Sequence, residues 1–308
     1  MPSPSVCVFG SHPLLGITIE LRGTDQDDVH MHPAGQGVWV ARMAAELGSH
    51  PILCGFIGGE TGQVLRPLLD ELDIELRLVE ASPTTGAYVI DRRSGERDIL
   101  AGAWSDPPSR HEVDDLFSVT VAAALESEVL VVCGPTPPEA MPTQIFGDLV
   151  ADARAGGAKT IIDLSPPRLN SALEGRPDFV KLDDWQLAEY VVGPVDKPEQ
   201  FRGAAQRVLE AGAGCVMVTR GGDPALILTP DKAWELAPPR FGRGAAEGSG
   251  DSMVGALAAA LARGMEFEEA LRVGAAAGAA NFLRHGLGTG SRDVISDLLP
   301  RVELRPLD

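Results

Sequence analysis

The sequence predicts an α/β protein in which a mainly parallel central sheet is flanked by helices, and three observations lead to that prediction. Short apolar runs rich in β-branched residues alternate with longer segments whose apolar residues recur at helical spacing, as in repeated β-α-β units. The 308 residues are 44% hydrophobic and 23% charged, which suffices for the core of one large domain. No segment reaches the roughly 18 uninterrupted apolar residues of a membrane-spanning helix. We therefore expect one domain over residues 1–308.

The predicted strands and helices follow one another in a regular order. Strands are expected at residues 6–9, 52–56, 129–133, 160–163, 179–182 and 216–219. Helices are expected at residues 38–47, 62–72, 145–155, 198–211 and 251–263. Because parallel strands need a crossover of a dozen or more residues, the helical segments between these strands favour a parallel sheet.

Two stretches depart from this alternation. Residues 16–29 read as a pair of strands joined by an acidic turn, and residues 85–104 alternate around the turn-like Arg92-Arg93-Ser94-Gly95. Together they predict a small sheet outside the main layer, with strands at about 12–34 and 85–104 that form a lid over an active site.

The charge of the chain limits the possible partners. Twenty-six basic residues against 44 acidic residues give a formal net charge of −18, and no Lys/Arg-rich run is present. We therefore expect no nucleic-acid partner and no membrane association. An acidic chain still binds an anion such as ATP where glycine-rich turns, a helix N-terminus and a divalent cation supply positive potential.

The cysteines and the N-terminus indicate a reducing compartment. Cys7, Cys54, Cys133 and Cys215 are far apart and lie mostly in apolar runs, so we expect buried, reduced thiols. The N-terminus lacks a basic stretch leading into an apolar one. We therefore expect a cytoplasmic location.

The most informative segment is a glycine-rich turn followed by an acid and an alanine-rich helix: Gly248-Ser249-Gly250-Asp251. Phosphoryl transfer needs donors that neutralise charge on the transferred group, and a base for the attacking hydroxyl. The turn supplies backbone N–H groups at a helix N-terminus and Asp251 supplies the carboxylate. The alternative is that Asp251 only caps the helix while the glycines only turn the chain.

This segment resembles the C-terminal signature of the ribokinase-like (phosphofructokinase B) sugar kinases. Further stretches match that family in the same order, at residues 35–48, 55–62, 181–187 and 218–221. The spacing and residues 299–303 are most similar to the branch of 1-phosphofructokinases and tagatose-6-phosphate kinases. The resemblance implies a ribokinase-like fold and an ATP-dependent, Mg²⁺-dependent kinase that phosphorylates a hydroxyl of a small sugar-like molecule.

The resemblance also implies roles for individual residues. Asp251 is expected to be the catalytic base, and Gly248, Ser249 and Gly250 are expected to form the anion hole. The residues implied at the nucleotide are Lys181, Asp183, Thr219, Gly221, Gly278 and Asn281. For the alanine-rich stretch 275–280 that contains Gly278, close helix packing is the alternative to an adenine pocket.

The magnesium site departs from the family pattern. Where the family has an amide and then an acid three residues later, this chain has Asp183 and then Gln186. One carboxylate is retained on what is expected to be the same helical face. We expect Asp183 and Gln186 to organise Mg²⁺ through water, with a solvated surface acid as the alternative.

The acceptor side departs further. The residues expected there are His12, Gly35, Gln36, Gly37, Trp39, Tyr88 and Trp104. The phosphosugar branch usually has Lys in place of Gln36, Asn in place of Trp39, and Asp where this chain has Gly16 or a leucine. Each difference removes a polar contact to a sugar or its phosphate. Aromatic faces instead stack on rings, so an unphosphorylated sugar or a nucleoside is the expected alternative acceptor. The aromatic side chains alternatively pack in the lid or at a dimer interface.

Two other functions are alternatives to a kinase. A catalytically degenerate homologue that binds a nucleotide or metabolite and regulates a partner is favoured by the altered acceptor residues and disfavoured by the intact turn at residues 248–251. A dinucleotide-dependent oxidoreductase would need Gly-x-Gly-x-x-Gly after the first strand, where this chain has Phe9-Gly10-Ser11-His12-Pro13. The chain has no P-loop motif. Exposed lid edges would favour a homodimer.

Overall fold

The computed structural model describes residues 3–23, 25–195, 197–242, 244, 246–284 and 288–307. The strands are β1 (Ser5–Phe9), β2 (Leu14–Arg22), β3 (Gln26–Ala34), β4 (His50–Ile57), β5 (Glu75–Glu80), β6 (Ala87–Asp91), β7 (Asp98–Ala103), β8 (Val129–Cys133), β9 (Lys159–Asp163), β10 (Phe179–Asp183), β11 (Val216–Arg220), β12 (Asp223–Leu228), β13 (Ala233–Ala237) and β14 (Glu303–Leu307). The helices are α1 (Gln36–Glu46), α2 (Gly59–Asp70), α3 (Arg110–Leu125), α4 (Ile145–Ala155), α5 (Arg168–Glu174), α6 (Asp184–Val191), α7 (Pro198–Glu210), α8 (Ser249–Ala262), α9 (Phe267–Phe282) and α10 (Arg292–Leu298).

Ten strands form the central sheet, in the order β5-β4-β1-β8-β9-β10-β11-β12-β13-β14. The strands from β5 to β11 pair in parallel, and β12, β13 and β14 continue the sheet by antiparallel pairing. The six strands expected from their apolar runs all lie in the parallel part. The predicted α/β class with a mainly parallel sheet is confirmed.

Alternation along the strands divides the core into two layers. Val6 and Val8 of β1 pack on the side of α1, α8, α9 and α10, whereas Cys7 and Phe9 pack on the side of α3 to α7. This is the two-sided burial expected of parallel strands covered by helices on both faces. In the described part of the chain, no helix is long and apolar enough to cross a membrane. All four cysteines are buried and outside disulfides.

The small residues of α8 allow it to pack tightly against α1 and α9. A Cβ added to Gly255 would lie 2.4 Å from the carbonyl oxygen of Val40 on α1, and one added to Gly278 of α9 would lie 3.0 Å from the carbonyl oxygen of Ser249. The buried alanines of stretch 275–280 lie in the same interface. This close approach brings the N-terminus of α8 next to the start of α1.

A separate four-stranded sheet has the order β3-β2-β6-β7, so the predicted small sheet is present. Strands β2 and β3 pair antiparallel, as do β6 and β7, and Gly95 turns the second hairpin with a φ of 85°. Successive side chains on a strand face opposite sides. Thr18 and His32 therefore lie on one face of the small sheet, and Val29 and Met31 lie on the other.

Candidate active site

Four polar side chains meet on one face of the parallel sheet, at the carboxyl ends of three neighbouring strands. Asp163 of β9 is in register with Lys181 of β10, and Asp183 of β10 is in register with Thr219 of β11. Asp163, Lys181 and Thr219 each lie two residues after an apolar residue that packs towards α1 and α8. Asp183 lies two residues after Lys181, so all four share that face. Ligands of open α/β sheets bind at this edge.

Helix α8 begins directly above these side chains. Gly248 precedes it with a φ of 72°, a left-handed conformation that a side chain would strain. The next two residues lead into Asp251 in the first helical turn. A Cβ on Gly250 would lie 2.9 Å from the Nζ atom of Lys181, so the glycine lets the helix start against that ammonium group.

The anion hole differs in one respect from the sequence-based expectation. The amide N–H of Ser249 donates to the carbonyl oxygen of Ala246 at 3.1 Å, so it is not available to a ligand. Among the hydrogen bonds of the described residues, the amides of Gly250 and Asp251 have no acceptor, as is usual in a first helical turn. Among the described residues, the amides of Gly248, Gly250 and Asp251 are therefore open to a ligand and that of Ser249 is occupied, and an anion hole at this turn stays a prediction.

Asp251 has an unusual protonation equilibrium. Part of its surface stays accessible, yet burial of the carboxyl group and the nearby Asp163 raise its pKa to about 7. Lys181 and a hydrogen bond from Gln36 oppose this rise. The result is a carboxyl group that changes charge near neutral pH.

The ammonium group of Lys181 partly neutralises the carboxylates around Asp251. Its Nζ atom lies 3.3 Å from Oδ2 of Asp163 and 2.9 Å from Oδ1 of Asp183, and its side chain is only 4% exposed. Burial opposes the charge of Lys181, but the two carboxylates hold its pKa above the ordinary value. The pKa of buried Asp163 is nevertheless raised, chiefly by burial.

Of the two residues expected to organise Mg²⁺, Gln186 is already hydrogen-bonded to protein groups and Asp183 is partly exposed. The amide oxygen of Gln186 accepts from the backbone N–H of Asp183 at 2.7 Å, and its Nε2 donates to Ser165 at 2.9 Å, so both ends of this amide are occupied. Asp183 accepts from Lys181 and from the hydroxyl of Thr219 but keeps its side chain 39% exposed. Within the described ranges, no cluster of three or more His, Cys, Asp or Glu side chains suits a metal ion.

The remaining residues expected at the nucleotide fall into two groups. Gly221 is exposed, with a φ of 59° and open space around it, next to Thr219 at the end of β11. Asn281 instead holds protein segments together: its Nδ2 donates to the carbonyl oxygen of Glu247 and its Oδ1 accepts from the amide of Gly288, each at 2.8 Å. Gly278 packs against Ser249. Asn281 and Gly278 thus support the start of α8, and adenine contact stays a prediction.

A cavity of about 510 Å³ lies between the small sheet, α1 and the segment before α8. Trp39 and Tyr88 line it as expected, but Trp104 does not, because its side chain is 47% exposed and its ring lies over Gly102. A cavity of similar volume between α6 and α7 contains none of the predicted site residues. The cavity under the small sheet is therefore the candidate acceptor site.

The imidazole of His32 fills the space beside Gly16 in this cavity. A Cβ on Gly16 would lie 2.4 Å from Cε1 of His32, and Nε2 of His32 lies 2.9 Å from the hydroxyl of Thr18. Burial lowers the pKa of His32, so the ring is neutral at physiological pH. Sequence reasoning did not identify His32. His30, His32 and Ala34 occupy every second position of β3 and therefore lie on the same face of the small sheet.

Three arginines of the cavity were also missed: Arg42, Arg92 and Arg97. Arg97 forms an ion pair of 2.7 Å with Glu247 and its guanidinium lies 5.6 Å from the ring centre of Tyr88. Spacing gave a usable signal, because Arg42 follows Trp39 by three residues on α1, and Arg92, directly after β6, follows Tyr88 by four.

The other residues expected at the acceptor lie around the start of α1. His12 is 9% exposed, its Nδ1 lies 2.9 Å from the hydroxyl of Ser11, and its buried Nε2 has no partner among the described residues. Burial lowers its pKa to about 4. Gly35 precedes α1 with a φ of 104°, and a Cβ on Gly37 would lie 2.5 Å from Cα of Gly10. The backbone conformation at Gly35 and the close approach of the chain at Gly37 therefore favour glycine, and neither residue lines the cavity.

Gln36 does not line the cavity either. Its Oε1 atom accepts from the backbone N–H of Gly134 at 2.9 Å. The same side chain lowers the pKa of Asp163 and of Asp251. The amide thus faces the carboxylates and not the space under the small sheet.

Comparison with known proteins shows which proteins the chain is similar to. A model of the pfkB family of carbohydrate kinases matches residues 5–293. The chain is 32% identical over 270 residues to the ATP-dependent 6-phosphofructokinase isozyme 2 of Escherichia coli, with 85% of each chain covered. It is 25% identical over 276 residues to the 1-phosphofructokinase of Bacillus subtilis, covering 90% of this chain and 89% of the relative. The tetrameric inhibited form of phosphofructokinase-2 from Escherichia coli has a TM-score of 0.83 at 27% identity, covering 98% of this chain and 99% of that one.

Proposed function

Because the chain belongs to the pfkB family of carbohydrate kinases, we propose that it transfers the γ-phosphoryl group of ATP to a hydroxyl of a small sugar phosphate, with Asp251 as the base. The observation that carries this proposal is the carboxyl group of Asp251 at the N-terminus of α8, with a pKa of about 7. A base that titrates near neutral pH is suited to accept a hydroxyl proton at that pH.

In the proposed reaction, the acceptor oxygen bonds to the γ-phosphorus while the bond from that phosphorus to the bridging oxygen of ADP breaks. An oxygen of Asp251 takes the proton of the acceptor hydroxyl. The amides of Gly250 and Asp251 donate to the oxygens of the transferred group, where the positive end of the α8 dipole also lies. Both functions come from one helical turn, which fixes base and donors relative to each other.

The nucleotide side of the proposal rests on the ends of β10 and β11. Thr219 and the open backbone at Gly221 are proposed to approach the phosphates and ribose of ATP, beside Lys181. Mg²⁺ would neutralise charge on the phosphates. The residues fit such an ion through water only: the part-exposed Asp183 faces this side, while the amide of Gln186 is occupied by protein partners. We also propose that the protein is located in the cytoplasm.

The acceptor class is proposed from the cavity under the small sheet. The names of both relatives specify phosphorylated fructose as a substrate. In this chain, three arginines face two glutamates in the cavity, and guanidinium groups bind phosphate oxygens bidentately. Trp39 and Tyr88 supply faces for the sugar ring. These aromatic rings also favour a nucleoside as a second candidate acceptor.

We expect Trp39→Ala to raise the KM for the acceptor about tenfold while the KM for ATP changes little. The reason is that a stacking contact of one aromatic face contributes on the order of 1 kcal/mol or more. Steady-state kinetics with each substrate varied in turn would measure both constants. Trp104→Ala is the matched control, since that ring lies outside the cavity. An unchanged acceptor KM would assign Trp39 to packing alone.

The proposed function is tested by ADP release from Mg-ATP with phosphosugars, free sugars and nucleosides, using Asp251→Asn protein as the blank. Asp251-dependent turnover with a phosphosugar would support the proposal in full. Turnover only with a free sugar or nucleoside would overturn the acceptor class. ATP binding without turnover on any acceptor would favour the regulatory homologue instead.

We also propose that a second copy of the chain covers the outer face of the small sheet. Leu21, Val29 and Met31 are each more than two-fifths exposed there, and the related Escherichia coli enzyme forms tetramers. A contiguous apolar face of this kind usually marks an interface.

A charge on this outer face is therefore expected to produce monomers. In sedimentation experiments at micromolar concentration, Met31→Glu protein should have a lower mass than the parent, because a buried unpaired carboxylate disfavours association. Leu125→Glu, at an equally exposed position on α3, should leave the mass unchanged. A monomeric parent protein would refute the pairing.

A further inference from the structure

Gly16 on β2 lies between two ring side chains on the face of the small sheet that lines the acceptor cavity. It pairs with His32 on β3 and with Tyr88 on β6, and both of these residues line the cavity. A Cβ at Gly16 would lie 2.4 Å from Cε1, 2.9 Å from Nδ1 and 3.0 Å from Nε2 of His32. The imidazole therefore occupies the place that a side chain at position 16 would take.

The hydrogen bonds of His32 fix the direction in which Thr18 can bond. Nδ1 of His32 lies 3.4 Å from the carbonyl oxygen of Pro33, and Nε2 lies 2.9 Å from Oγ1 of Thr18. A carbonyl oxygen can only accept, so in the neutral ring Nδ1 carries the proton and Nε2 accepts the hydroxyl proton of Thr18. Thr18, which also lines the cavity and is 8% exposed, therefore keeps only its lone pairs for a ligand.

We propose that Thr18 determines acceptor specificity by accepting a hydrogen bond from one hydroxyl of the acceptor, and that His32 is the positioning residue that fixes the Thr18 hydroxyl and closes the space beside Gly16. This inference rests on the proposed function, because it takes the cavity under the small sheet as the acceptor site. It assigns the recognition of a sugar hydroxyl to a neutral pair of side chains.

The charges of the cavity lie on other side chains, which separates two kinds of recognition. Arg97 pairs with Glu247 at 2.7 Å, and Arg92 lies 3.8 Å from Glu20. Guanidinium groups bind phosphate oxygens strongly, and so they serve the charged part of the acceptor. The neutral oxygen of Thr18 binds only a donor at the correct distance and angle, and so it discriminates between hydroxyl arrangements.

The cavity also holds a donor that the protein leaves unsatisfied. The hydroxyl of Tyr88 is buried and makes no hydrogen bond among the described residues. Buried polar groups of folded proteins are usually paired, so an oxygen of a bound ligand would supply the partner that this hydroxyl lacks. A sugar carries hydroxyls that both donate and accept, which matches an acceptor at Thr18 and a donor at Tyr88.

Affinity for a sugar phosphate tests the role of Thr18 without any need for turnover. The probe is fructose 6-phosphate or fructose 1-phosphate, whichever the parent protein binds more tightly in calorimetry. Thr18→Val keeps the shape of the side chain but removes the oxygen, so the Kd of the probe should rise about tenfold, and Thr18→Ser should restore most of the affinity. Among analogues of the probe that each lack one hydroxyl, one should bind the parent about tenfold more weakly than the probe and bind Thr18→Val protein equally well. The Kd for ATP should stay unchanged in both variants.

Two independent substitutions test the positioning by His32. His32→Ala removes the ring, and Gly16→Ala introduces a Cβ that must displace it, so each should raise the Kd of the probe by an amount similar to that for Thr18→Val. In the double variant the two losses should not add, because both remove the same ring from the same place. His111→Ala, whose side chain is 88% exposed on α3, is the matched control and should bind the probe like the parent.

Equal affinity of parent and Thr18→Val protein for the probe, a loss that Thr18→Ser does not recover, or additive losses for Gly16→Ala and His32→Ala would overturn the inference. The ring would then only pack over Gly16. If His32→Ala protein does not fold, Thr18→Val and Thr18→Ser decide the question, since both stay close to the parent side chain in shape.

Failure of the proposed function has a different signature. A parent protein that binds the probe but releases no ADP from Mg-ATP would refute the kinase, while the affinities would still decide the role of Thr18. If neither fructose phosphate binds, the acceptor class and this inference are both refuted.

Discussion

Asp251→Asn is expected to lower kcat by about 10² or more while ATP still binds, since general-base catalysis contributes on that scale. The substitution keeps the shape of the side chain but removes its negative charge and its ability to accept a proton. Initial rates of ADP release and the affinity for ATP, measured by calorimetry, would check both parts. Asp148→Asn, at an exposed position on α4, is the control. Turnover close to that of the parent would exclude Asp251 as the base.

The dependence of activity on pH is also expected to reflect the ionisation of Asp251. Burial and Asp163 raise the pKa of Asp251 to about 7, and the base works only when ionised. Activity should therefore rise with pH through this value and level off above it. An Asp with an ordinary pKa would instead give a flat profile between pH 5 and pH 8.

Lys181→Met is expected to lower the free energy of unfolding by about 3–5 kcal/mol at pH 8, as when one partner of a buried ion pair is removed. The buried Asp163 and the part-exposed Asp183 would then carry their charges without the ammonium group that lies between them. Protonation of these acids removes the unpaired charges. Their pKa values in the folded variant would rise above those in the unfolded chain, so the stability lost at pH 8 should be partly regained at pH 5.

Urea unfolding at both pH values would measure this difference. Lys159→Met, on the exposed first residue of β9, is the control and should cost little. A double variant that also carries Asp163→Asn should recover part of the lost stability, because one unpaired charge is gone. A loss that is equal at pH 5 and pH 8 would contradict the charge-based explanation.

The sequence predicted the parts of the fold in which local pattern and burial agree. The run at 129–133 is apolar throughout because β8 is covered on both faces, and Gly95 marked the hairpin of the small sheet. Strands β12 to β14 were missed because they pair antiparallel at the edge of the sheet, with charged residues such as Glu235 and Arg305 among their apolar ones. Helix α9 was read only as a stretch of small residues, because alanine and glycine give little periodic contrast.

The residues of the candidate site could be predicted where a local sequence pattern places them. The turn before Asp251 and the strand-end residues Lys181 and Thr219 were identified, since each follows a recognisable strand or precedes a helix. The hydrogen bond between Gln36 and Gly134 was not identified, because these residues are distant in sequence and meet only where α1 begins beside the end of β8. Trp104 was assigned to the cavity because of its aromatic type and its place in the lid segment, whereas its ring packs beside Gly102 and outside the cavity.

The register between β9 and β10 also bears on how the protein acquires activity during folding. Asp163 and Lys181 occupy one row across these strands, and a slip of a single residue would send one of them to the opposite face of the sheet. A misregistered chain would keep its strands and much of its helix content but would bury an acid and an ammonium group in different layers. Return of turnover on refolding would consequently lag behind return of secondary structure, and would report correct strand pairing.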